Sequence, residues 1–546
     1  MTRPDSNLEK PGKTTRRTRF RILAILLGLT PFCLLEIALR IPGVHVGEHD
    51  AFAEFGGGVP VFLRSGDRFR TNPAREPYLA PQDFPTDKSS RTKRLFVFGG
   101  STVHGRPYQV STAFPAWLKI ELDARAPDHD WEIINCGGIS YASHRIVPMV
   151  REATAYQPDL IIVATGHNEF LEDRTYDKVK SRPGALRQLD SLRSVRLARQ
   201  LLQSKPSAAP NAMELKTRLD EGSGYASYHR DAAWRAKVAA NFDHAIIEIG
   251  ETCSEAGIPL VLVGLGANLR DCPPFKSEHR EGLPSAEERI WQNAFEEGAA
   301  LSTNNPTAAI EAYRRALVID SQFALLHFRI AKLLDASDPI VAGRHYALAR
   351  DHDICPLRMP SDFASALRQT ADSLSVPLID AERALSSLCA PAPPGFDWYL
   401  DHVHPSIHGH QIIAQVIASD LASRELIPKL ATLEEADRTR LYQSHFEALG
   451  PRYLADGRRR LTWLENWARR EKLSDELKLL GAEAFLRRGF RQLDFEDFDE
   501  AFSSFTAARS MNREATLTRL SRQVSALKLQ GRPVTGERLQ EWIQQN

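Results

Sequence analysis

Five short apolar runs, spaced by longer stretches of helical periodicity, constrain the fold of this chain more than any other feature. Leu95-Phe96-Val97-Phe98 is the first, and it ends in Gly99-Gly100. Ile133-Ile134 is the second, followed by Asn135-Cys136-Gly137-Gly138. Leu160-Ile161-Ile162-Val163 precedes Gly166-His167-Asn168. Pro259-Leu260-Val261-Leu262-Val263 and Val376-Pro377-Leu378-Ile379 complete the set. Apolar runs this short, bounded by turn residues, read as buried strands. Between them, residues 113–124, 143–156 and 232–256 carry helical spacing, with Phe114, Leu118 and Leu122 on one face. Strands alternating with helices predict an α/β domain with a parallel sheet covered on both faces.

The polar residues of this region sit where such a sheet binds ligands. Ser101, the Asn135–Ser140 loop and Asn168 each follow a predicted strand. The carboxyl ends of parallel strands line the ligand crevice. Far downstream comes Asp401-His402-Val403-His404-Pro405. An Asp three residues before a His can turn its carboxylate onto Nδ1, which leaves Nε2 to face a serine hydroxyl as base. Serine is inert unless such a base takes its proton. Taken singly, Ser101 also reads as a helix N-cap and Asn168 as the start of an Asx-turn. His402, His404, His408 and His410 invite a metal reading, with His404 and His408 four apart. No carboxylate or cysteine pattern completes such a site, and His408-Gly409-His410 also reads as the opening of a helix. Trp398 and Tyr399 read as core aromatics or as pocket lining.

At these residues the chain resembles the SGNH/GDSL hydrolases. Gly99-Gly100-Ser101-Thr102 is similar to the first block of that family, and Asn135-Cys136-Gly137-Gly138-Ile139-Ser140 to its second. Gly166-His167-Asn168-Glu169 resembles the G-x-N-D block, with Glu169 where Asp is usual, and Asp401-His402-Val403-His404 resembles the D-x-x-H block. The four blocks stand in family order and cover roughly residues 93–268 and 355–425. The resemblance implies a three-layer, flavodoxin-like sheet and a cofactor-free ester hydrolase. It implies Ser101 as nucleophile, His404 as base and then acid, and Asp401 as the group that orients the imidazole. It also implies an oxyanion hole made from the Ser101 backbone N–H and the Asn168 side-chain amide. The family's third donor is a glycine; here the position is Ser140, whose backbone N–H is the donor expected. Glycine would be irreplaceable there only at positive φ.

The rest of the chain surrounds this domain. Its 546 residues suggest about three domains. Ile22–Leu39 is an apolar run of about 18 residues broken only by Glu36, near the ~20 that cross a bilayer. Arg16, Arg17, Arg19 and Arg21 precede it. The positive-inside rule then places 1–20 in the cytoplasm, a span at 21–40, and the remainder outside, in the periplasm if the source is bacterial. Residues 41–92 read as a juxtamembrane connector. Residues 175–230, with an Arg-rich stretch at 183–199, read as an insertion with a solvated face. Residues 269–354 carry a repeat: Ala309, Tyr313 and Ala316 recur as Ala342, Tyr346 and Ala349, each 33 residues on. That is close to the tetratricopeptide period of about 34. Ala501, Phe505 and Ala508 repeat the pattern in an all-helical region, 426–546. Such repeats offer a surface for a protein partner, while simple helical core packing is the other reading of all three copies.

Composition narrows the function further. A formal net charge of +1 gives no global reason to bind nucleic acid. The six cysteines form no C-x-x-C pair, and Cys253 with Cys272 is a candidate disulfide. Tethering outside the cytoplasm suggests acyl groups on envelope carbohydrate or lipid as substrate. Transfer of the acyl group to a polysaccharide hydroxyl uses the same residues. A repeat scaffold with a degenerate hydrolase domain is the alternative of another class.

Overall fold

A computed structural model of the chain describes residues 59–172, 217–220, 224–469, 479–493, 498–529 and 533–546, with isolated positions elsewhere. The expected span at 21–40, the Arg-rich stretch 183–199 and most of the 175–230 insertion lie outside the described residues. Among the described residues no helix is long and apolar enough to cross a membrane.

The region read as a connector is structured from residue 59 onward. Strands β1 (Phe62–Ser65), β2 (Arg68–Thr71) and β3 (Asp83–Pro85) form a small antiparallel sheet. Phe62 and Phe84 pack on Phe96 of the main sheet, with ring centroids 6.3 and 5.7 Å away. The charged residues Arg64, Arg68 and Arg70 interleave with these aromatics and hide the alternation in the sequence.

The main sheet contains β4 (Thr92–Gly99), β5 (Asp130–Gly137), β6 (Leu160–Ala164), β7 (Leu260–Gly264) and β8 (Leu378–Asp380). Their spatial order is β5-β4-β6-β7-β8, all parallel. All five predicted strands are present. Helices α1 (Ser101–His104), α2 (Phe114–Arg125), α3 (Ser143–Ala153) and α4 (Ala232–Glu255) follow the first strands in turn. Leu95, Val97, Leu160, Ile162, Val261 and Val263 share one core with Trp117, Leu118 and Leu122 of α2. In register, Gly99 lies beside Gly137 on one flank and Ala164 on the other. The carboxyl ends of β4, β5 and β6 are therefore level, and the segments that leave them start side by side.

After β7 the chain makes two helical hairpins, α5 (Ser285–Leu301) with α6 (Pro306–Ile319), and α7 (Ala324–Leu334) with α8 (Pro339–Asp351). The 33-residue repeat extends to their punctuation. Asn305 caps α6 through the Ala308 N–H, and Asp338 caps α8 through the Val341 N–H. Each cap is followed by proline at the first helical position, where no N–H is needed. Tyr313 and Tyr346 are buried at equivalent places, and Tyr313 fits only because Gly298 lacks a Cβ.

The chain then returns to the sheet domain through α9 (Ser361–Leu374), β8, α10 (Ala381–Cys389) and α11 (Ile407–Ser423). It ends in α12 (Glu435–Leu449), α13 (Pro451–Arg469), α14 (Ala482–Leu493), α15 (Phe498–Met511), α16 (Arg513–Leu529) and α17 (Pro533–Gln545). Phe328, Ala331 and Tyr346 of the second hairpin share a core with Phe485, Ala501, Phe505 and Ala508 of α14 and α15. The second hairpin thus packs on helices far away in sequence. Cys253 and Cys272 are both free and buried, so the candidate disulfide does not form.

One buried carboxylate joins these parts. Asp271, after β7, accepts from Arg487 of α14 at 2.6 and 3.0 Å, and from the Phe396 N–H at 3.0 Å. Lys332 of α7 stands 3.8 Å away. Burial alone would raise this carboxyl, but Arg487 and Lys332 outweigh it and hold it at about 2. A depressed carboxylate stabilises the fold above its unfolded value and loses that contribution as pH falls through the folded one. The Asp271 contribution is therefore complete at neutral pH and lost between about pH 4 and pH 2. Asp271→Asn leaves Arg487 buried beside a neutral partner and should cost about 3 kcal/mol or more, read as a lower urea midpoint. It should also flatten the acid limb of stability; an unchanged midpoint would show that the joint carries no energy.

Candidate active site

Ser101 opens α1 directly after β4, with Gly100 as the turn. A Cβ on Gly100 would lie 2.6 Å from Asn168 Nδ2, so glycine here keeps the space between Ser101 and Asn168 open. Asn135, at the end of β5, fixes α1 from below. Its Nδ2 donates to the Val103 carbonyl at 2.7 Å, and its Oδ1 accepts from the Gly137 N–H at 2.9 Å. Gly137 must be glycine because the His104 backbone N lies where its Cβ would be.

Asp401 and His404 reach the same place from the opposite end of the chain. Their loop is pinned to the sheet by Asn268, which follows β7. The Asn268 N–H donates to the His402 carbonyl at 3.0 Å, and its Nδ2 donates to the Asp401 carbonyl at 3.0 Å. The loop also closes on itself, with the Leu400 N–H on the His404 carbonyl at 2.9 Å and the Ser406 N–H on the Trp398 carbonyl at 2.8 Å.

Ser101, His404 and Asp401 then form one hydrogen-bonded line. Ser101 Oγ lies 2.7 Å from His404 Nε2, and His404 Nδ1 lies 2.6 Å from Asp401 Oδ2. The second carboxylate oxygen, Oδ1, accepts from the Val403 and His404 N–H groups at 2.9 and 2.8 Å. Burial would raise the Asp401 carboxyl, but His404, His402 and these hydrogen bonds hold it well below the usual range. His104, His167, His402 and His410 surround His404, and burial holds each at about 3, hence neutral at pH 7.

The three expected oxyanion donors differ in what already holds them. Asn168 Nδ2 donates one hydrogen to the Tyr141 carbonyl at 3.0 Å, which fixes the amide plane and leaves its second hydrogen free. The backbone N–H groups of Ser101 and Ser140 make no hydrogen bond among the described residues. Ser140 sits at φ 60, in the left-handed region. An L-residue there costs about 1 kcal/mol relative to glycine. Serine thus occupies a backbone conformation that favours glycine.

Two predicted neighbours have other tasks. Glu169 accepts from the Ser143 N–H and hydroxyl at 2.9 and 2.8 Å and so fixes the start of α3. The longer side chain in place of Asp reaches across to that helix. The four downstream histidines diverge: His410 Nδ1 accepts from the Phe114 N–H at 3.2 Å, and His408 Nδ1 meets Gln411 at 3.0 Å. Among the described residues no group of side chains could hold a metal ion. Tyr399 is fully enclosed and belongs to the core, as does Trp398. A cavity of about 410 Å³ lined by Phe170, Arg230, Trp234 and Arg280 contains none of the residues around Ser101. Sequence reading missed Asn268 and the Tyr141 carbonyl, because both act through backbone contacts that no motif records.

No family model matches the sequence, and no curated protein matches it. Among solved structures it is similar to LAE5, an alpha/beta hydrolase enzyme from the metagenome of Lake Arreo, Spain, at 12% identity and a TM-score of 0.28, over 62% of this chain and 98% of that one. It is similar to the lipase/acylhydrolase of Enterococcus faecalis at 12% identity and a TM-score of 0.27, over 63% of this chain and 99% of that one. A GDSL-like lipase of Bacteroides thetaiotaomicron matches at 10% identity and a TM-score of 0.26, over 61% of this chain and 89% of that one. Likenesses this weak carry no weight beside the geometry of the site.

Proposed function

We propose that the chain is a serine hydrolase that cleaves carboxylic esters through an acyl-enzyme. The observation that carries this reading is the line from Ser101 Oγ through His404 to Asp401 at the carboxyl edge of the sheet. Asp401 Oδ2 takes the hydrogen of His404 Nδ1, so Nε2 is free to accept the Ser101 proton. The Ser101 oxygen attacks the ester carbonyl, and its proton moves to Nε2. The carbonyl oxygen gains negative charge and is met by the Ser101 N–H, the second Asn168 hydrogen and the Ser140 N–H. Collapse breaks the bond to the alkoxide, which leaves as alcohol with the proton from Nε2. Water then repeats the sequence on the acyl-enzyme and releases the acid.

The flanking regions fit a tethered enzyme. The Arg-flanked apolar run before residue 40 supports a single membrane anchor with the catalytic domain outside the cytoplasm, facing acylated envelope carbohydrate or lipid. The stacked hairpins support a tetratricopeptide-like surface for a protein partner. A fluorophosphonate probe tests the chemistry without knowledge of the substrate. Ser101 should be the labelled residue in the peptide map, and labelling should vanish in Ser101→Ala. Failure of the folded wild-type protein to label would favour a degenerate scaffold.

A further inference from the structure

The loop after Ser101 carries positive charge for which the described residues offer no counter-charge. The Arg106 N–H donates to the Ser101 carbonyl at 3.0 Å, so this arginine is built directly onto the turn that holds the serine. Its guanidinium has no hydrogen bond or ion pair with any described residue, although its Nε is enclosed. A second arginine arrives from the C-terminal region. Arg460, on α13, donates from Nε to the Pro107 carbonyl at 2.6 Å, and its enclosed Nη2 has no partner. His104, 7% exposed, keeps an unpartnered Nδ1 and feels the charge of both arginines and of His404.

The placement of Arg460 is firmly built. Tyr453 stacks on Tyr108 with ring centroids 6.0 Å apart, and its hydroxyl meets Thr112 Oγ1 at 2.8 Å. Gly457 lies against the Tyr108 ring where any side chain would collide. The carboxylate on this part of α13, Asp456, is held by Arg459 and Arg452. Arg94 is paired with Glu132, Arg145 with Glu172 and Arg487 with Asp271, whereas Arg329 Nε, like Arg106 Nε, has no partner among the described residues. An enclosed donor left unpaired is unfavourable, so an anion bound by both guanidinium groups would satisfy atoms that the described residues leave without an acceptor. Ser101, Arg106 and Arg460 all retain part of their surface open to solvent.

We propose that Arg106 and Arg460 form an anion subsite beside Ser101, and that the enzyme selects esters carrying a carboxylate, sulfate or phosphate group close to the scissile bond. The planar forks of two arginines suit any of these oxyanions. This rests on Ser101 as the nucleophile and adds a substrate class to it.

The test compares p-nitrophenyl hemisuccinate, charged on the acyl side, with neutral p-nitrophenyl butyrate. A second pair, acetylated p-hydroxybenzenesulfonate and phenyl acetate, puts the charge on the leaving group. After division by the spontaneous rates, wild type should favour the charged member of one pair by about tenfold in kcat/KM. That preference should shrink as ionic strength rises. Arg106→Gln and Arg460→Gln should each remove most of it, and Arg106→Lys should restore part. Inorganic sulfate should slow fluorophosphonate labelling of wild type relative to chloride at equal ionic strength, and should cease to do so in the double variant. Ser101 that labels normally, with no charge preference in either pair and no effect of sulfate, overturns the subsite alone. Absence of labelling in folded wild type overturns both readings. A sulfate effect retained in the double variant places the anion elsewhere and also overturns the proposal.

Discussion

Ser101→Ala and His404→Ala should each lower kcat for an aryl ester by roughly 10⁶-fold, and the double variant should fall no further. The size follows from the arrangement. Without His404 the Ser101 hydroxyl keeps its proton and is no nucleophile at neutral pH. Without Ser101 the base has nothing to activate except water, which is not held at 2.7 Å from Nε2 as Oγ is. Each residue is useful only through the other, so their effects overlap. The residual rate should still exceed that in water, because the donors around Ser101 remain to bind the developing oxyanion. Ser101→Ala should melt near the wild-type temperature, whereas His404→Ala should melt lower, because it leaves the buried Asp401 Oδ2 without its Nδ1 partner. Losses that multiply in the double variant would mean that the two act in separate steps, and the relay would fall.

Much of this site could be read from sequence because its chemistry is local. An Asp three residues before a His lets the Asp401 carboxylate reach His404 Nδ1 within one short loop. A serine after a strand ending in Gly-Gly is placed at the sheet edge by the strand itself. The five strands were legible for a related reason: in a parallel sheet buried on both faces, every residue of Leu160–Val163 must be apolar. What stayed hidden depends on partners distant in sequence. The small sheet at Phe62–Pro85 shows one apolar face to the main sheet, and its arginines break the pattern that would announce it. Arg106 and Arg460 are brought together only because α13 lies along the Tyr108 loop. The left-handed backbone at Ser140 leaves no trace in its residue type, since serine is not the residue that such a φ favours.

Asp401→Asn is the sharper test of mechanism, and it should cost about 10⁴-fold in kcat while leaving the loop folded. Asp401 Oδ1 accepts two backbone N–H groups, from Val403 and His404. In the variant the amide oxygen must occupy that position, because an NH₂ group there would face two donors. The amide NH₂ is then turned toward His404 Nδ1, in the place now held by Oδ2. Nδ1 must accept that hydrogen bond, so the ring proton moves to Nε2. An Nε2 that carries a proton cannot take one from Ser101, and the base is lost with every atom in position. Asp401→Ala removes the same orientation and also strips two enclosed N–H groups of their acceptor, so it should lower the melting temperature as well. The pair separates tautomer control from loop support: both variants lose activity, but only alanine loses stability. Asn at 401 with activity within tenfold of wild type would mean that the carboxylate merely shapes the loop. His404 would then need another partner to set its proton.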